Sequence, residues 1–262
     1  MQIRNKVFIV TGGGNGIGRQ VVLQLLARGG QVAAADLSAD ALEETRTLAR
    51  AGGALSTHVL NVADDEAVKR LPAAVTDAHG QIDGIVNVAG IIHRFVPMAE
   101  LSRAELERIV NVNFWGTVNT SLAVLPILRE RPVASIVNIS SLSALLAFAG
   151  QGFYGATKGA VKQFSEALFE ELLDTNVTVT TVFPGNISTN ISGNSGVAMI
   201  DAGGRKVRAT TPERTAREIL DGIEKGAFRV LVGSDARMLD RLSRLVPKRA
   251  ALIIAKQMRS VM

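Results

Sequence analysis

Short apolar segments alternate with helix-length amphipathic segments from the first residues of this chain onward. Strands that are apolar on both faces and separated by helices are typical of parallel sheets, because the crossover helices cover both faces of the sheet. The alternation therefore predicts an α/β fold: a doubly wound, mostly parallel sheet with helices on both faces. The strand-like segments are KVFIVTG, QVAAAD, ALSTHVLNV, GIVNVAG, ASIVNIS and VTVTTVFPG.

Length and composition favour one domain. The chain has 262 residues, of which 47% are apolar and 20% charged, so a single α/β domain can bury a large core. It contains no evident linker, low-complexity stretch or repeat of fixed period. We therefore predict a single domain over residues 1–262. Within it, the Gly-, Ser- and Asn-rich segment 186–211 is predicted to form a substrate lid, and residues 234–262 a C-terminal helix and tail.

The absence of cysteine and the scarcity of histidine argue against several kinds of site. Without Cys the chain has no disulfide, thiolate metal ligand or thiol nucleophile, and this composition fits a cytoplasmic location. His58, His79 and His93 are scattered along the sequence, so we expect neither a metal site nor a His-based triad. The N-terminus has no secretory signal pattern, and no apolar run approaches the roughly 20 residues of a membrane span.

The positive charge is concentrated toward the C-terminus. The chain has a net charge of +5, and residues 201–262 contain fourteen Lys and Arg against seven Asp and Glu. A solvated C-terminal helix with alternating arginines is the preferred interpretation, because charge runs usually face water. Peripheral contact with an acidic lipid surface is the alternative, and no nucleic-acid partner is predicted.

A glycine-rich loop, TGGGNGIGRQ, follows the first predicted strand directly and leads into a helix. Gly12, Gly16 and Gly18 lie where a phosphate can approach the backbone and the positive N-terminus of that helix. Their spacing is Gly-x-x-x-Gly-x-Gly, which differs from the Gly-x-Gly-x-x-Gly form common in dinucleotide-binding folds. The loop and its flanking elements predict a nucleotide cofactor.

Asp36 closes the second predicted strand, eighteen residues beyond Gly18. A carboxylate at this point accepts hydrogen bonds from an adenosine ribose and repels a 2′-phosphate. No Lys or Arg occupies position 15 or 37, where a counter-charge for that phosphate would be expected. NAD(H) is therefore predicted in preference to NADP(H). A solvated or helix-capping Asp36 is the alternative interpretation.

The only tyrosine of the chain, Tyr154, precedes Lys158 by four residues in QGFYGATKGAVKQF. Apolar residues at spacings of three and four continue beyond this pair, which predicts an amphipathic helix over 153–174. Residues four apart on a helix share a face, so the two side chains can point at the same place. The spacing alone is weak support for catalysis, because such short motifs are common.

Together these features resemble the classical short-chain dehydrogenase/reductase family, whose members have a Rossmann fold, over most of the chain. The six matching segments, in the expected order, are TGGGNGIG, NVAG at 87–90, NVNFWG at 111–116, NISSLSA at 138–144, YGATK at 154–158 and PGNIST at 184–189. Position 88 is Val where the family commonly has Asn, and position 61 is Asn where many members have Asp. We expect these departures to affect local hydrogen bonding and cofactor affinity only modestly.

The resemblance implies a catalytic set: Asn113, Ser141, Tyr154 and Lys158. Ser141 lies thirteen residues before Tyr154, the family's usual spacing, so it is preferred over Ser140 and Ser143, which are expected to be structural or pocket-lining. The resemblance also implies a cofactor-binding set: Gly12, Asn15, Gly16, Ile17, Gly18, Asp36, Leu37, Asn61, Val62, Asn87, Ala89, Gly90, Tyr154, Lys158, Pro184, Gly185, Ile187 and Thr189.

The expected chemistry is proton transfer by Tyr154 coupled to hydride transfer at a nicotinamide. A free phenol has a pKa near 10, and a nearby ammonium such as Lys158 is expected to lower it. Tyr154 then acts as general acid or base, while Ser141 stabilises charge on the substrate oxygen. The resemblance further implies that Asn113 holds a water for proton relay and that Lys158 hydrogen-bonds the nicotinamide ribose.

These residues predict an NAD(P)(H)-dependent oxidoreductase that interconverts a small-molecule secondary alcohol and a ketone. Apolar residues near the expected site favour a hydrophobic substrate, and the candidate pocket residues are Ile92, Ser143, Leu145, Phe148 and Met199. A non-catalytic dinucleotide-binding sensor is one alternative, and a membrane-associated lipid or steroid reductase using the basic tail is another. The family resemblance also implies a homodimer or homotetramer formed through the helices that carry Asn113 and Tyr154.

Overall fold

Seven parallel strands form one sheet in the computed structural model, which describes residues 1–189, 191–197 and 209–259. The strands are β1 (Val7–Thr11), β2 (Gln31–Asp36), β3 (Leu55–Val59), β4 (Gly84–Asn87), β5 (Ala134–Ile139), β6 (Val177–Pro184) and β7 (Arg229–Val232). Their spatial order is β3-β2-β1-β4-β5-β6-β7, and each neighbouring pair is parallel. The predicted doubly wound α/β fold is confirmed.

The helices that connect the strands cover both faces of the sheet. They are α1 (Gly16–Ala27), α2 (Ala39–Ala49), α3 (Asp65–His79), α4 (Arg103–Val110), α5 (Gly116–Arg129), α6 (Gly152–Glu171), α7 (Ile191–Ser195), α8 (Pro212–Lys225), α9 (Ser234–Leu245) and α10 (Pro247–Arg259). Ser38 caps α2, because its side chain accepts a hydrogen bond from the Ala41 amide at 3.2 Å. A π-helical turn over Asn111–Trp115 joins α4 to α5.

Successive side chains of a β-strand point to opposite faces of the sheet, so each central strand contributes to two hydrophobic cores, one on each face. Phe8 and Val10 of β1 pack on the face covered by α1, α2 and α8. Val7 and Ile9 of the same strand pack on the opposite face, which α3, α5 and α6 cover. Both faces of the central strands are therefore buried, which explains why those strands are continuously apolar in the sequence.

The C-terminal region differs from the sequence-based expectation in two respects. The edge strand β7 was not anticipated, and where a helix and tail were predicted over 234–262 the described residues form two helices separated at Val246. Pro247 accounts for the break, because proline cannot donate the backbone hydrogen bond that would continue α9 and is well accommodated at the start of α10. Among the helices of the described residues, none has the length and apolar character needed to cross a bilayer.

His58 and His79, which are distant in sequence, lie close together in the structure. Ser56 Oγ lies 2.8 Å from His58 Nε2 and 2.8 Å from His79 Nε2, and His79 Nδ1 lies 3.1 Å from Gln31 Oε1. An amide oxygen only accepts, so His79 Nδ1 donates and a neutral His79 accepts at Nε2. Burial lowers the pKa of both imidazoles, and for His58 the charge on His79 lowers the pKa further.

We expect the free energy of unfolding to fall as the pH decreases below about 6.5, the ordinary imidazole value. Both histidines have a lowered pKa in the folded chain, so the unfolded chain binds more protons in this window and stability rises with pH. Urea unfolding measured across this range tests the prediction. His79→Gln should reduce the dependence on pH, and an unchanged dependence in that variant would contradict the assignment to this cluster.

Candidate active site

Gly12 and Gly18 of the glycine loop lie too close to neighbouring backbone atoms to carry a side chain. Gly12 has φ +69°, and a Cβ there would lie 2.9 Å from the Ala89 amide nitrogen, at the end of the neighbouring β4. A Cβ on Gly18 would lie 2.0 Å from the Gly12 carbonyl oxygen. The loop can therefore bring its own backbone, and the N-terminus of α1, against a ligand.

Asp36 holds this loop from the carboxyl end of β2. Its Oδ2 accepts a hydrogen bond from the Gly14 amide at 2.9 Å, and its Oδ1 accepts one from the Ser38 amide at 3.1 Å. Arg19 supports the other side of the loop, since its Nε donates to the Gly14 carbonyl at 2.8 Å. A guanidinium and a carboxylate thus fix the loop conformation from two directions.

A cavity of about 870 Å³ opens at the carboxyl ends of β1 and β4, where the strand order reverses. Ligands of open α/β sheets bind at such reversal points. The predicted cofactor residues that line it are Gly12, Asn15, Gly16, Ile17, Gly18, Asp36, Leu37, Asn61, Val62, Ala89, Gly90 and Thr189. The structure therefore assembles most of the predicted cofactor set around one space.

Six other members of that set do not line this cavity: Asn87, Tyr154, Lys158, Pro184, Gly185 and Ile187. The Asn87 side chain is buried and donates from Nδ2 to Ser121 Oγ at 2.9 Å and to Asn138 Oδ1 at 2.8 Å. This places the Asn87 side chain in a contact that holds the sheet together. Gly185 faces Asp235 instead, because a Cβ there would lie 2.3 Å from Asp235 Oδ2.

Eleven residues that line the cavity were not predicted from the sequence. Some of the additional lining residues are sequence neighbours of predicted cofactor residues, and others belong to α4 and the π-helical turn. They are Ser38, Leu60, Ala63, Val88, Ile91, Ala104, Glu107, Arg108, Asn111, Val112 and Ile191. The α4 residues Ala104, Glu107 and Arg108 lie five to nine residues before Asn113, outside all six matching segments.

Lys158 is buried at the inner side of the site, with 4% of its surface exposed. Its Nζ donates to the Ile139 carbonyl at 2.9 Å and lies 6.0 Å from the centroid of the Tyr154 ring. A Cβ on Gly90 would lie 3.2 Å from Lys158 Nζ, so the ammonium is directly behind the cavity lining. Burial lowers the pKa of Lys158 to about 8, since the charged form is poorly solvated there.

Tyr154 is partly buried and forms a hydrogen bond with the Ser141 side chain. Burial raises the pKa of the Tyr154 phenol, and the Ser141 hydrogen bond acts in the opposite direction. In the chain alone the pKa of Tyr154 is therefore shifted upward, opposite to the expected direction, because burial outweighs the charge of Lys158. The physical reason is that Lys158 Nζ points to the Ile139 carbonyl, while loss of solvation disfavours the phenolate.

The three neighbouring serines have different contacts. Ser141 approaches Tyr154, whereas the Ser140 hydroxyl donates to the Lys158 carbonyl at 2.8 Å. The backbone amide of Ser143 donates a hydrogen bond to Ser141 Oγ at 3.0 Å. Ser140 and Ser143 thus act on the positions of Lys158 and Ser141, which agrees with the structural role expected for both.

Asn113 is fully buried in the π-helical turn and organises the loop that follows β4. Its Oδ1 accepts from the Ile91 amide at 2.8 Å, and its Nδ2 donates to the Ile91 carbonyl at 2.9 Å and to Thr157 Oγ1 at 3.1 Å. The side chain therefore connects this loop with α6, which carries Tyr154 and Lys158. Single π-helical turns of this kind are frequent at functional sites.

The predicted substrate-pocket residues are less closely grouped. Ile92 is buried, and its amide donates to Ser195 Oγ of α7 at 3.0 Å. Leu145 and Phe148 pack against the cluster that α9 and α10 form with Leu142 and Leu146. Leu145 also lines a separate cavity of about 430 Å³, away from the cofactor residues. Met199 lies outside the described residues, as do positions 190 and 198–208 of the lid predicted over 186–211.

Comparison with known proteins shows the family of the chain. The family model described as short chain dehydrogenase matches residues 6–198. The SadH protein of Mycobacterium tuberculosis is 38% identical over 252 residues, covering 92% of this chain and 91% of that protein. The 3-oxoacyl-(acyl-carrier-protein) reductase FabG of Thermotoga maritima is 32% identical over 190 residues, covering 72% and 77%.

A solved structure supports the fold independently. A short-chain dehydrogenase/reductase of Burkholderia phymatum, in complex with NAD, superposes with a TM-score of 0.84 and covers 95% of this chain and 96% of that one. Its sequence identity is 22%, so this likeness concerns the fold alone. The family match and the relatives decide the assignment: this chain belongs to the short-chain dehydrogenase family.

Proposed function

We propose that this oxidoreductase interconverts a secondary alcohol and a ketone by exchanging a hydride with a nicotinamide dinucleotide. The observation that supports this most directly is the grouping of Ser141, Tyr154 and Lys158. Tyr154 is hydrogen-bonded to Ser141, and Lys158 Nζ lies 6.0 Å from the centroid of the Tyr154 ring and behind Gly90 of the cavity lining. A proton donor, an oxygen partner and a cation therefore lie together, and the cation adjoins the cavity.

The residues around the cavity fit a dinucleotide. Gly12 and Gly18 leave no room for a Cβ where the loop meets the N-terminus of α1, as a phosphate site requires. Asp36 offers carboxylate oxygens for a ribose, and Leu37 and Val62 add apolar surface for a base. When bound, the nicotinamide supplies the hydride acceptor for an alcohol or the hydride donor for a ketone.

The chain's own contribution is to place and move a proton. Tyr154 Oη exchanges this proton with the substrate oxygen, acting as base for alcohol oxidation and as acid for ketone reduction. Ser141 Oγ accepts from the Ser143 amide, so its hydrogen remains available for Tyr154 or for the substrate oxygen. Lys158 adds positive charge near the phenol, which favours the phenolate once the substrate oxygen is in place.

We expect NADH to bind at least about tenfold more tightly than NADPH, a difference of about 1.4 kcal/mol. Asp36 lines the cavity and its charge opposes a 2′-phosphate. Fluorescence titration of the full chain with both cofactors measures the ratio. Asp36→Asn, which removes the charge and keeps one acceptor oxygen for the Gly14 amide, should bring the two dissociation constants closer. An equal or reversed order in the unmodified chain would refute this role for Asp36.

The proposed substrate is hydrophobic, and a panel of ketones and alcohols tests both the reaction and this preference. Ile91 lines the cavity, and the neighbouring Ile92 is buried. NADH consumption with bulky apolar ketones should exceed that with short hydroxy acids or their ketones. Binding of NADH without turnover of any compound in the panel would favour the alternative, a non-catalytic dinucleotide sensor.

We also propose a cytoplasmic homodimer or homotetramer. The π-helical turn and α5 expose Trp115 (48% exposed) and Leu122 (47% exposed), next to the segment that carries Asn113. Pairing of two copies would cover these apolar side chains. Light scattering of the purified chain measures its mass, and a monomer at micromolar concentration would contradict the proposal.

A further inference from the structure

The net positive charge of the chain resides on its last two helices. Residues 234–259, which form α9 and α10, contain seven Lys and Arg and two Asp, a net charge of +5. The rest of the chain contains 22 basic and 22 acidic residues and is therefore neutral overall. A charge separated in this way creates a local field that attracts anionic surfaces.

The solvent-facing side of α9 combines this charge with large apolar residues. Met238 is 61% exposed, Leu245 is 80% exposed, and Arg241 is exposed between them at helical spacing. Residues three, four and seven apart lie on the same side of a helix, so these three share one face. Arg244 is paired with the buried Asp240 at 3.0 Å and Arg237 with Glu218 at 2.9 Å, so Arg241 supplies the unpaired charge of that face among the described residues.

The same combination appears on α10. Ala250 and Ile254 are buried against the rest of the chain. The exposed residues on the other side of the helix are Lys248, Arg249, Leu252 (62% exposed), Ile253 (47% exposed) and Lys256. No acidic residue occurs in α10, and among the described residues none forms an ion pair with Arg241, Lys248, Arg249 or Lys256.

We propose that this surface, formed by the exposed faces of α9 and α10, docks on an anionic lipid bilayer. Leu and Ile side chains enter the headgroup region, while Lys and Arg side chains extend to lipid phosphates. A second copy of the chain would bring two strongly cationic faces together, which the net charge disfavours. A nucleic acid would neutralise the charge but leave Leu245 and Leu252 without apolar contact.

The helices α9 and α10 pack directly against the residues that follow Ser141. α9 and α10 contribute Ala236, Ala250 and Ile254 to a cluster that includes Leu142 and Leu146, directly after Ser141. Docking would therefore hold the active site at a fixed distance from the bilayer. Binding to the bilayer does not depend on the reaction proposed above, so the two proposals can fail separately.

Sedimentation of the full chain with vesicles tests this docking. We compare vesicles of phosphatidylcholine with vesicles of phosphatidylcholine and phosphatidylglycerol in equal parts. Binding to the anionic vesicles should be stronger by about tenfold or more and should weaken with added salt. Lys248→Gln combined with Arg249→Gln should reduce it by about tenfold or more. Leu252→Ser combined with Ile253→Ser should have an effect of similar size.

Matched controls change the same residue types elsewhere on the surface. Arg70→Gln with Arg129→Gln removes two exposed cations, and Leu48→Ser with Leu173→Ser removes two exposed leucines. Both controls should bind vesicles like the unmodified chain, and all variants should keep their thermal stability and NADH affinity. Equal binding to both vesicle types, no binding, or equal losses in the controls would overturn the proposal. Dissociation of an oligomer by Leu252→Ser with Ile253→Ser, without vesicle binding, would assign the surface to a second copy.

Discussion

Tyr154→Phe is expected to lower kcat by about a hundredfold to ten-thousandfold, the usual contribution of a positioned acid or base. The substitution removes only the phenolic oxygen and keeps the ring that packs near Lys158. Thermal stability and the dissociation constant for NADH should therefore change little. The measurement is NADH oxidation with the best ketone of the panel, beside cofactor binding and melting of the same preparation.

A pair of serine variants serves as the control for this prediction. Ser141→Ala removes the hydroxyl that hydrogen-bonds Tyr154 and should lower kcat by about a hundredfold or more. Ser140→Ala removes a hydroxyl that donates to the Lys158 carbonyl, so its effect on kcat should be much smaller. Tyr154→Phe with nearly full activity, or equal losses in the two serine variants, would contradict the proposed proton transfer.

Gly18→Ala is expected to lower the affinity for NADH by about a hundredfold, or about 2.7 kcal/mol. The added Cβ would lie 2.0 Å from the Gly12 carbonyl oxygen and 2.6 Å from its carbon. Both atoms belong to the backbone, so no side-chain rotation relieves the contact and the loop itself has to move. We expect the free energy of unfolding to fall as well, by about 3 kcal/mol.

Gly159→Ala is the matched control, because it adds the same methyl group to another helix. A Cβ at Gly159 in α6 would meet no atom within 4 Å. Alanine has a higher helix propensity than glycine, so this variant should gain about 0.5–1 kcal/mol and bind NADH normally. Titration with NADH and urea unfolding of both variants provide the comparison. Normal cofactor binding by Gly18→Ala would show that the loop does not carry the phosphate contact.

The sheet and the glycine loop were predictable because their causes are local. A strand buried on both faces is mostly apolar at consecutive positions, as residues 7–10 of β1 are. Gly12 and Gly18 are needed because of contacts within one tight turn and the strand beside it. The relation between Tyr154 and Lys158 also follows from one helical turn, which is why spacing alone anticipated a shared face.

The features that escaped prediction depend on contacts distant in sequence. Leu145 and Phe148 are apolar, but the sequence does not show that the C-terminal helices cover them. The upward shift of the Tyr154 pKa also depends on distant contacts, because it is caused by the loss of water around the phenol. The effect of Pro247 was readable in principle, since proline starts helices more readily than it continues them.

The uniqueness of Tyr154 makes the ionisation of the proposed catalytic group directly visible. A phenolate absorbs at longer wavelength than a phenol, and this chain contains no second tyrosine to obscure the change. An alkaline spectrophotometric titration therefore reports on one atom, Tyr154 Oη, without isotopic labelling. Repeating it with cofactor, or with Ser141→Ala, would separate the influence of burial from that of each neighbour. The protein thus contains its own optical probe of the proton that it is proposed to transfer.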